Sequence, residues 1–150
     1  MEELKKIRVI LAELLQTQKL AVLSTVSSDG SAYSNLVSFA APQAESLLFA
    51  TARATRKYAN LKQNAQVALL IDNRRNDEAD FHEAIAATAL GRAIELADGE
   101  RTAGLVTFLA RFPFLAEFVH SPSCTLFRVD VERFIVVTKF QNVIEVRTRL

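Results

Sequence analysis

The chain has 150 residues, half of them hydrophobic and 23% charged, with a net charge of +1. That length is enough for one compact domain with a sizeable core, and the near-neutral balance excludes a global basic field for nucleic acid or anionic lipid. No apolar run reaches the roughly 20 residues that span a bilayer, and the mixed charges of "MEELKKIRVILAELLQTQ" are unlike a signal peptide, so a cytoplasmic protein with no membrane or nucleic-acid partner is expected.

Leu4, Ile7, Ile10, Leu11, Leu14 and Leu15 recur at helical spacing and predict an amphipathic first helix. "KLAVLSTV" then reads as a strand, "SSDG" as a turn and "SAYSNLVSFAA" as a second strand closed by Pro42, which together make a hairpin. "SLLFATA" is a third strand leading into a helix over "TRKYANLKQ". "AQVALLIDN" is a fourth, apolar enough to suggest burial on both faces. "RRNDEADFHE" reads as a surface loop, and "AIAATALGRAIEL" as a long strand bent at Gly91.

Asp98 is a cap candidate for a helix over "DGERTAGLVTFLARF", Pro113 should break it, and "FLAEFVH" follows as a short helical piece. "CTLFRVDV" and "RFIVVTKFQNVIEV" are the expected closing strands. There is no repeat, low-complexity tract or linker, so residues 1–150 read as one domain. Strands come in consecutive runs rather than alternating with helices, which predicts a mainly β fold, an antiparallel sheet or barrel with flanking helices.

The chemistry concentrates in "LLFATARATRKYANLKQ", where a strand passes through Arg53, Arg56, Lys57 and Lys62 into a helix. A helix N-terminus attracts anions and is mildly unfavourable for cations. Thr51 and Thr55 offer hydroxyls, Arg56 a planar fork and Lys57 a point charge for a phosphate. The plainer alternative is that Thr55 caps the helix and the basic residues face water.

The "DG" hairpin followed by "LLFATARATRKYANLKQNAQVALLI" resembles the FMN-binding split β-barrel of the pyridoxamine 5'-phosphate oxidase-like superfamily, over roughly Leu14 to Leu96. Thr51, Thr55, Arg56, Lys57 and Asn60 stand in the family's pattern. The resemblance implies that the two threonines, Arg56 and Lys57 hold the phosphate of FMN. It also implies that Asn35, Leu36, Val37 and Ser38 lie along the flavin ring and ribityl chain, mostly through backbone groups. It further implies a homodimer with shared flavin sites and an FMN-dependent oxidoreductase acting on a small molecule of unknown identity. Asn35, Ala40 and Ala86 stand where the oxidase proper has Arg, Lys and Gln. The tryptophan-containing terminal signature is missing, and "VRTRL" is a faint echo of it. A true pyridoxamine-phosphate oxidase is therefore not expected. A flavin carrier, a haem-binding or haem-utilisation barrel and an F420-binding reductase are the alternatives.

Other candidates are weaker. Cys124, the single cysteine, excludes an intrachain disulfide and reads as a buried strand thiol. His82 reads as a solvated loop residue rather than a metal ligand, and His120 as a helix-end residue, with a haem ligand as its minority reading. Phe108, Phe112, Phe114 and Phe118 have the spacing of a core or interface face. Ser24, Ser34 and Ser38 have no evident histidine and acid partners for hydrolysis. The small residues of "AIAATALGRA" and the larger ones of "FIVVTKF", Val136 included, are expected to serve a subunit contact.

Overall fold

The computed structural model describes residues 1–148; Arg149 and Leu150, the end of the terminal echo, lie outside the described residues. Seven strands run β1 (Leu20–Val26), β2 (Ala32–Gln43), β3 (Ser46–Ala52), β4 (Gln66–Asp72), β5 (Ile85–Glu95), β6 (Cys124–Thr138) and β7 (Asn142–Arg147). Helices are α1 (Glu2–Thr17), α2 (Arg56–Gln63), α3 (Asp80–Glu83), α4 (Asp98–Arg111) and α5 (Ala116–His120), with a 3-10 turn at Pro113–Leu115. The sheet order is β3-β2-β1-β4-β5-β6-β7, and β3 also pairs with β6. That extra pairing closes six strands into an antiparallel barrel, the expected fold class, and leaves β7 as a flap on β6.

Period-two alternation fills the barrel. Leu23, Phe39, Phe49, Leu69, Ala89, Val129 and Phe134 point inward and are fully buried. The apolar stripe of α1, Ile7, Leu11, Leu14 and Leu15, joins the same core. No basic residue lies in the last turn of α1, and Arg111 of α4 supplies one from elsewhere. Its guanidinium donates to Leu15 O at 3.1 Å and Gln16 O at 3.0 Å, and also to Gln18 O. A second apolar cluster, with Ala40, Leu48, Phe108 and Leu126, glues α4 to the outside of the barrel.

Several expectations change. β2 continues through Pro42, because the strand is irregular there: its register with β3 shifts between Ala40 and Gln43. β4 alternates buried and half-exposed residues rather than being buried on both faces, because only one face meets the barrel core. The closing strands divide differently: β6 runs unbroken through Asp130–Arg133 and turns only at Lys139–Gln141. Val136 points into the core at 1% exposure, so a charge there breaks the barrel and does not probe a subunit contact. Asp98 does not cap α4. It is the helix's first residue, at φ 52°, and no side chain caps the preceding Ala97. Its contribution is a negative charge at the positive end of the helix. Pro113 does end α4, as the sequence predicts.

Candidate functional site

Of the four cations between the end of β3 and the last turn of α2, two are committed elsewhere. Arg53 Nη1 donates to Pro122 O at 2.6 Å and Cys124 O at 3.3 Å, and its Nη2 lies 3.6 Å from Glu95. Lys62 Nζ lies 3.4 Å from the other Glu95 oxygen. Glu95 also accepts from Tyr58 Oη at 3.1 Å and Thr125 Oγ1 at 2.6 Å. Burial alone would push this carboxyl up; the bonds from Thr125, Tyr58 and Lys62 outweigh it and hold the group below the usual range.

Arg56 and Lys57 are the other two, and among the described residues neither pairs with a carboxylate. They occupy the first two positions of α2, where the helix dipole disfavours a cation. Arg56 is exposed and lies over the Tyr33 ring, 5.1 Å from its centroid. Lys57 is half-buried, and desolvation pulls its ammonium below the usual lysine value. Beside them, Thr55 caps the helix by accepting from Tyr58 N at 3.2 Å and donates to Ala52 O at 2.9 Å. Thr51, 1% exposed, lies 3.1 Å from it, hydroxyl to hydroxyl. Asn60 is buried and donates to Thr25 Oγ1 at 2.9 Å, which pins α2 to β1. Asn60 is therefore a fastener for the helix that carries the cations.

The remaining candidates line a gap in the barrel wall. β2 pairs with β1 from Ala32 to Ser38 but with β3 only from Phe39 to Gln43. Continued, that register would set Val37 opposite Thr51; among the described residues no such pair forms, so the strands part there. Phe39 N–H points to Lys19 O on the β1 side. Strand alternation then turns the backbone groups of Leu36 toward the open edge. Asn35 points inward from this segment, and its Oδ1 is buried without a hydrogen-bond partner. Thr51, Thr55, Arg56 and Lys57 thus sit at one end of a slot whose other wall is Asn35–Ser38.

The sequence profile of the pyridoxamine 5'-phosphate oxidase family matches residues 10–138. The chain belongs to this family. A search of curated protein sequences found no match. Among solved structures, a protein from Clostridium acetobutylicum related to general stress protein 26, of the pyridoxinephosphate oxidase family, is 16% identical. The match covers 95% of each chain, with a TM-score of 0.74. HutZ, the haem storage protein of Vibrio cholerae, is 18% identical over 87% of this chain and 92% of its own, with a TM-score of 0.73. A haem-binding protein from Mycobacterium smegmatis is 12% identical with a TM-score of 0.81. The match covers 91% of this chain and 56% of that one, so the chain spans little more than half its length. These likenesses show the shared fold of this oxidase family.

Other sequence candidates fall outside the slot. Ala40 is buried under α4 with Leu48 and Phe108, facing away from the barrel interior. His82 and His120 are exposed, on α3 and at the end of α5. Cys124 is 1% exposed, and burial pushes its thiol up, the opposite of an activated nucleophile. Ser24 and Ser34 bond to each other across β1 and β2 at 2.8 Å. Phe108 and Phe112 are core residues, whereas Phe114 and Phe118 are exposed. Among the described residues no group of His, Cys, Asp and Glu could hold a metal, and no helix is long and apolar enough to cross a membrane. Sequence reasoning missed Tyr33 and Glu95, since neither lies in a recognisable motif.

Proposed function

We propose that the chain binds FMN in the slot, phosphate at Thr51, Thr55, Arg56 and Lys57, and ring along Asn35–Ser38. The observation that carries this reading is the pair of cations at a helix N-terminus without a carboxylate to balance them, beside two hydroxyls. A dianionic phosphomonoester satisfies both cations and the dipole together. The buried, unpartnered Asn35 Oδ1 and the open edge at Leu36 suit the hydrogen-bonding rim of a flavin ring.

When bound, the flavin would supply hydride or electron transfer to a small-molecule substrate. The residues of this chain bind and orient it: Arg56 and Lys57 neutralise the phosphate, Asn60 and Thr25 fix the helix that carries them, and the β2 edge sets the ring's direction. Asn35 and Ala86 replace the charged and amide side chains that the resemblance assigns to the oxidase proper, so pyridoxamine phosphate is not the proposed substrate. The slot opens at the barrel surface, and a second copy of the chain is the proposed cover. The outward residues Ala68, Leu70, Ala86 and Thr88, all half-buried in one chain, suit a close sheet-to-sheet contact.

Haem is the second reading, supported by the haem proteins that share the fold. It requires an axial ligand, and both histidines are exposed and off the slot. The absorption spectrum of protein purified without added cofactor separates the readings: a flavin doublet is expected, whereas a Soret band or a single deazaflavin band would replace FMN with haem or F420. Arg56→Ala with Lys57→Ala should weaken FMN on the order of a hundredfold and leave riboflavin nearly unchanged. Equal loss for both flavins would place the cations outside the phosphate site.

A further inference from the structure

The six lysines of the chain are not equivalent. Lys5, Lys6, Lys19, Lys62 and Lys139 are exposed, and Lys57 alone is half-buried. Lys62, further along α2, lies 3.4 Å from Glu95, whereas among the described residues Lys57 has no carboxylate partner. Burial pulls the Lys57 ammonium below the usual lysine value, so more of it is the free amine than in a fully solvated lysine. A free amine is a nucleophile and an ammonium is not. The backbone that carries this amine is fixed, by the Thr55 cap at one end and by the buried Asn60–Thr25 bond one turn later.

Beside this amine stands a cation that does not compete with it as a nucleophile. Arg56 keeps its proton and is held over the Tyr33 ring, with no carboxylate among the described residues to neutralise it. An anion recruited by Arg56 therefore comes to rest next to an amine that can react. Which anions react is a matter of reach. In an acyl phosphate a single oxygen separates the electrophilic carbon from phosphorus, so docking the phosphate at one side chain brings the carbon to its sequence neighbour. A phosphorylated sugar keeps its carbonyl several bonds away, and FMN has no acyl group to transfer. The incoming phosphate favours the ammonium, and each pKa unit it restores removes about tenfold of the free amine. Holding the reactants together outweighs this, since well-oriented pairs reach effective molarities on the order of 10⁵ M or more.

We propose that Lys57 is a covalent acylation site for acyl phosphates, which dock their phosphate at Arg56. The inference rests on the phosphate reading of this junction and adds its regulation. The Lys57 Nζ lone pair attacks the acyl carbon, the C–N bond forms and the C–O bond to phosphorus breaks. Phosphate leaves with that electron pair and takes up the proton the amine loses. The product is a neutral amide in place of a half-buried charge, and the junction keeps one of its two free cations. Acylated protein should therefore bind FMN about tenfold more weakly, with riboflavin unchanged. For the test, the full chain is incubated with acetyl phosphate, with and without FMN, and acetylation of each lysine is followed by peptide mass spectrometry. Lys57 is expected to react on the order of tenfold faster than Lys5, Lys6, Lys19 and Lys139, and inorganic phosphate or FMN should slow Lys57 alone. The N-hydroxysuccinimide ester of acetic acid, which carries no phosphate, should show no such preference, and Arg56→Ala should remove most of it. Two results on the unmodified chain would overturn the assignment: Lys57 reacting no faster than the exposed lysines, or reacting equally fast in saturating inorganic phosphate. Either result, in protein that still binds FMN more tightly than riboflavin, removes the acylation site and leaves the FMN reading. Preferential, phosphate-protected acetylation of Lys57 in protein that binds no FMN does the reverse.

Discussion

Arg56 rests on Tyr33: the guanidinium lies 5.1 Å from the ring centroid, joining the first turn of α2 to the open half of β2. The contact holds a cation where the helix dipole would otherwise push it toward water. It makes Tyr33 a positioning residue for Arg56, and so for the proposed phosphate site. An exposed cation–π contact is worth about 0.5–1 kcal/mol. Tyr33→Leu is accordingly expected to weaken FMN by roughly threefold to fivefold, with riboflavin unaffected and Tyr33→Phe close to the parent. Fluorescence titration of both flavins against the three proteins checks this. A Tyr33→Phe loss as large as that of Tyr33→Leu would point to the hydroxyl instead of the ring.

Lys57 gives the slot a pH dependence. Burial holds its ammonium below the usual 10.5, so in the empty protein the unfolded chain binds more protons between the lowered value and 10.5. Stability therefore carries the full penalty below that window and regains it as pH rises through it. A bound phosphate has the opposite effect, because it favours the charged ammonium. FMN affinity is expected to fall as pH rises toward 10.5, relative to riboflavin measured alongside. Lys57→Arg should flatten the difference, since arginine keeps its charge. Parallel curves for the two flavins would detach Lys57 from the phosphate.

The local parts of this site were legible in the sequence and the distant ones were not. Thr51 through Lys57 lie within one strand-to-helix junction, so their closeness is legible in the sequence, while the phosphate they are proposed to hold comes from the family resemblance. The slot depends on where β2 and β3 part, a register property of strands whose residues look equally able to pair. Glu95 gathers Arg53, Tyr58, Lys62 and Thr125 from across the barrel, and nothing in "GRAIEL" announces it. The same limit explains Val136: "FIVVTKF" is apolar throughout, and only its pairing with Ala87 and Ile144 decides that Val136 faces in. Asp98 had the residue type of a cap but lacks the backbone position of one.

Glu95 is expected to matter more for stability than for binding. Its side chain is 23% exposed and takes four partners, so Glu95→Ala strands the Tyr58 and Thr125 hydroxyls and frees Arg53 and Lys62. A loss of about 2 kcal/mol, or roughly 6 °C in the thermal midpoint, is expected. Because its folded pKa is lowered, the carboxylate stabilises the fold above the usual 4.5 and that contribution is lost as pH falls through the lowered value. The gap between parent and Glu95→Ala should therefore shrink in acid. A constant gap in thermal melts from neutral to acidic pH would mean that packing, and not the charge, is what Glu95 provides.

Gly91 is where the barrel wall tolerates no side chain. The β5–β6 register slips between Leu90, opposite Arg133, and Gly91, opposite Val131. At that bulge the strands crowd: a Cβ on Gly91 would lie 2.1 Å from Asp130 O and 2.9 Å from Asp130 C, both backbone atoms. No rotamer change relieves a clash with backbone, so β6 must shift, and Thr148 ties it in place by donating to Val131 O and Glu132 O. Gly91→Ala is expected to cost about 3 kcal/mol or more. Gly99, in the first turn of α4, has nothing within 4 Å of the same added atom, and Gly99→Ala should be neutral or stabilise by up to about 1 kcal/mol through helix propensity. Urea denaturation of the two variants separates strand crowding from a general intolerance of alanine. A Gly91→Ala protein as stable as the Gly99→Ala one would mean that β6 can move away from the bulge.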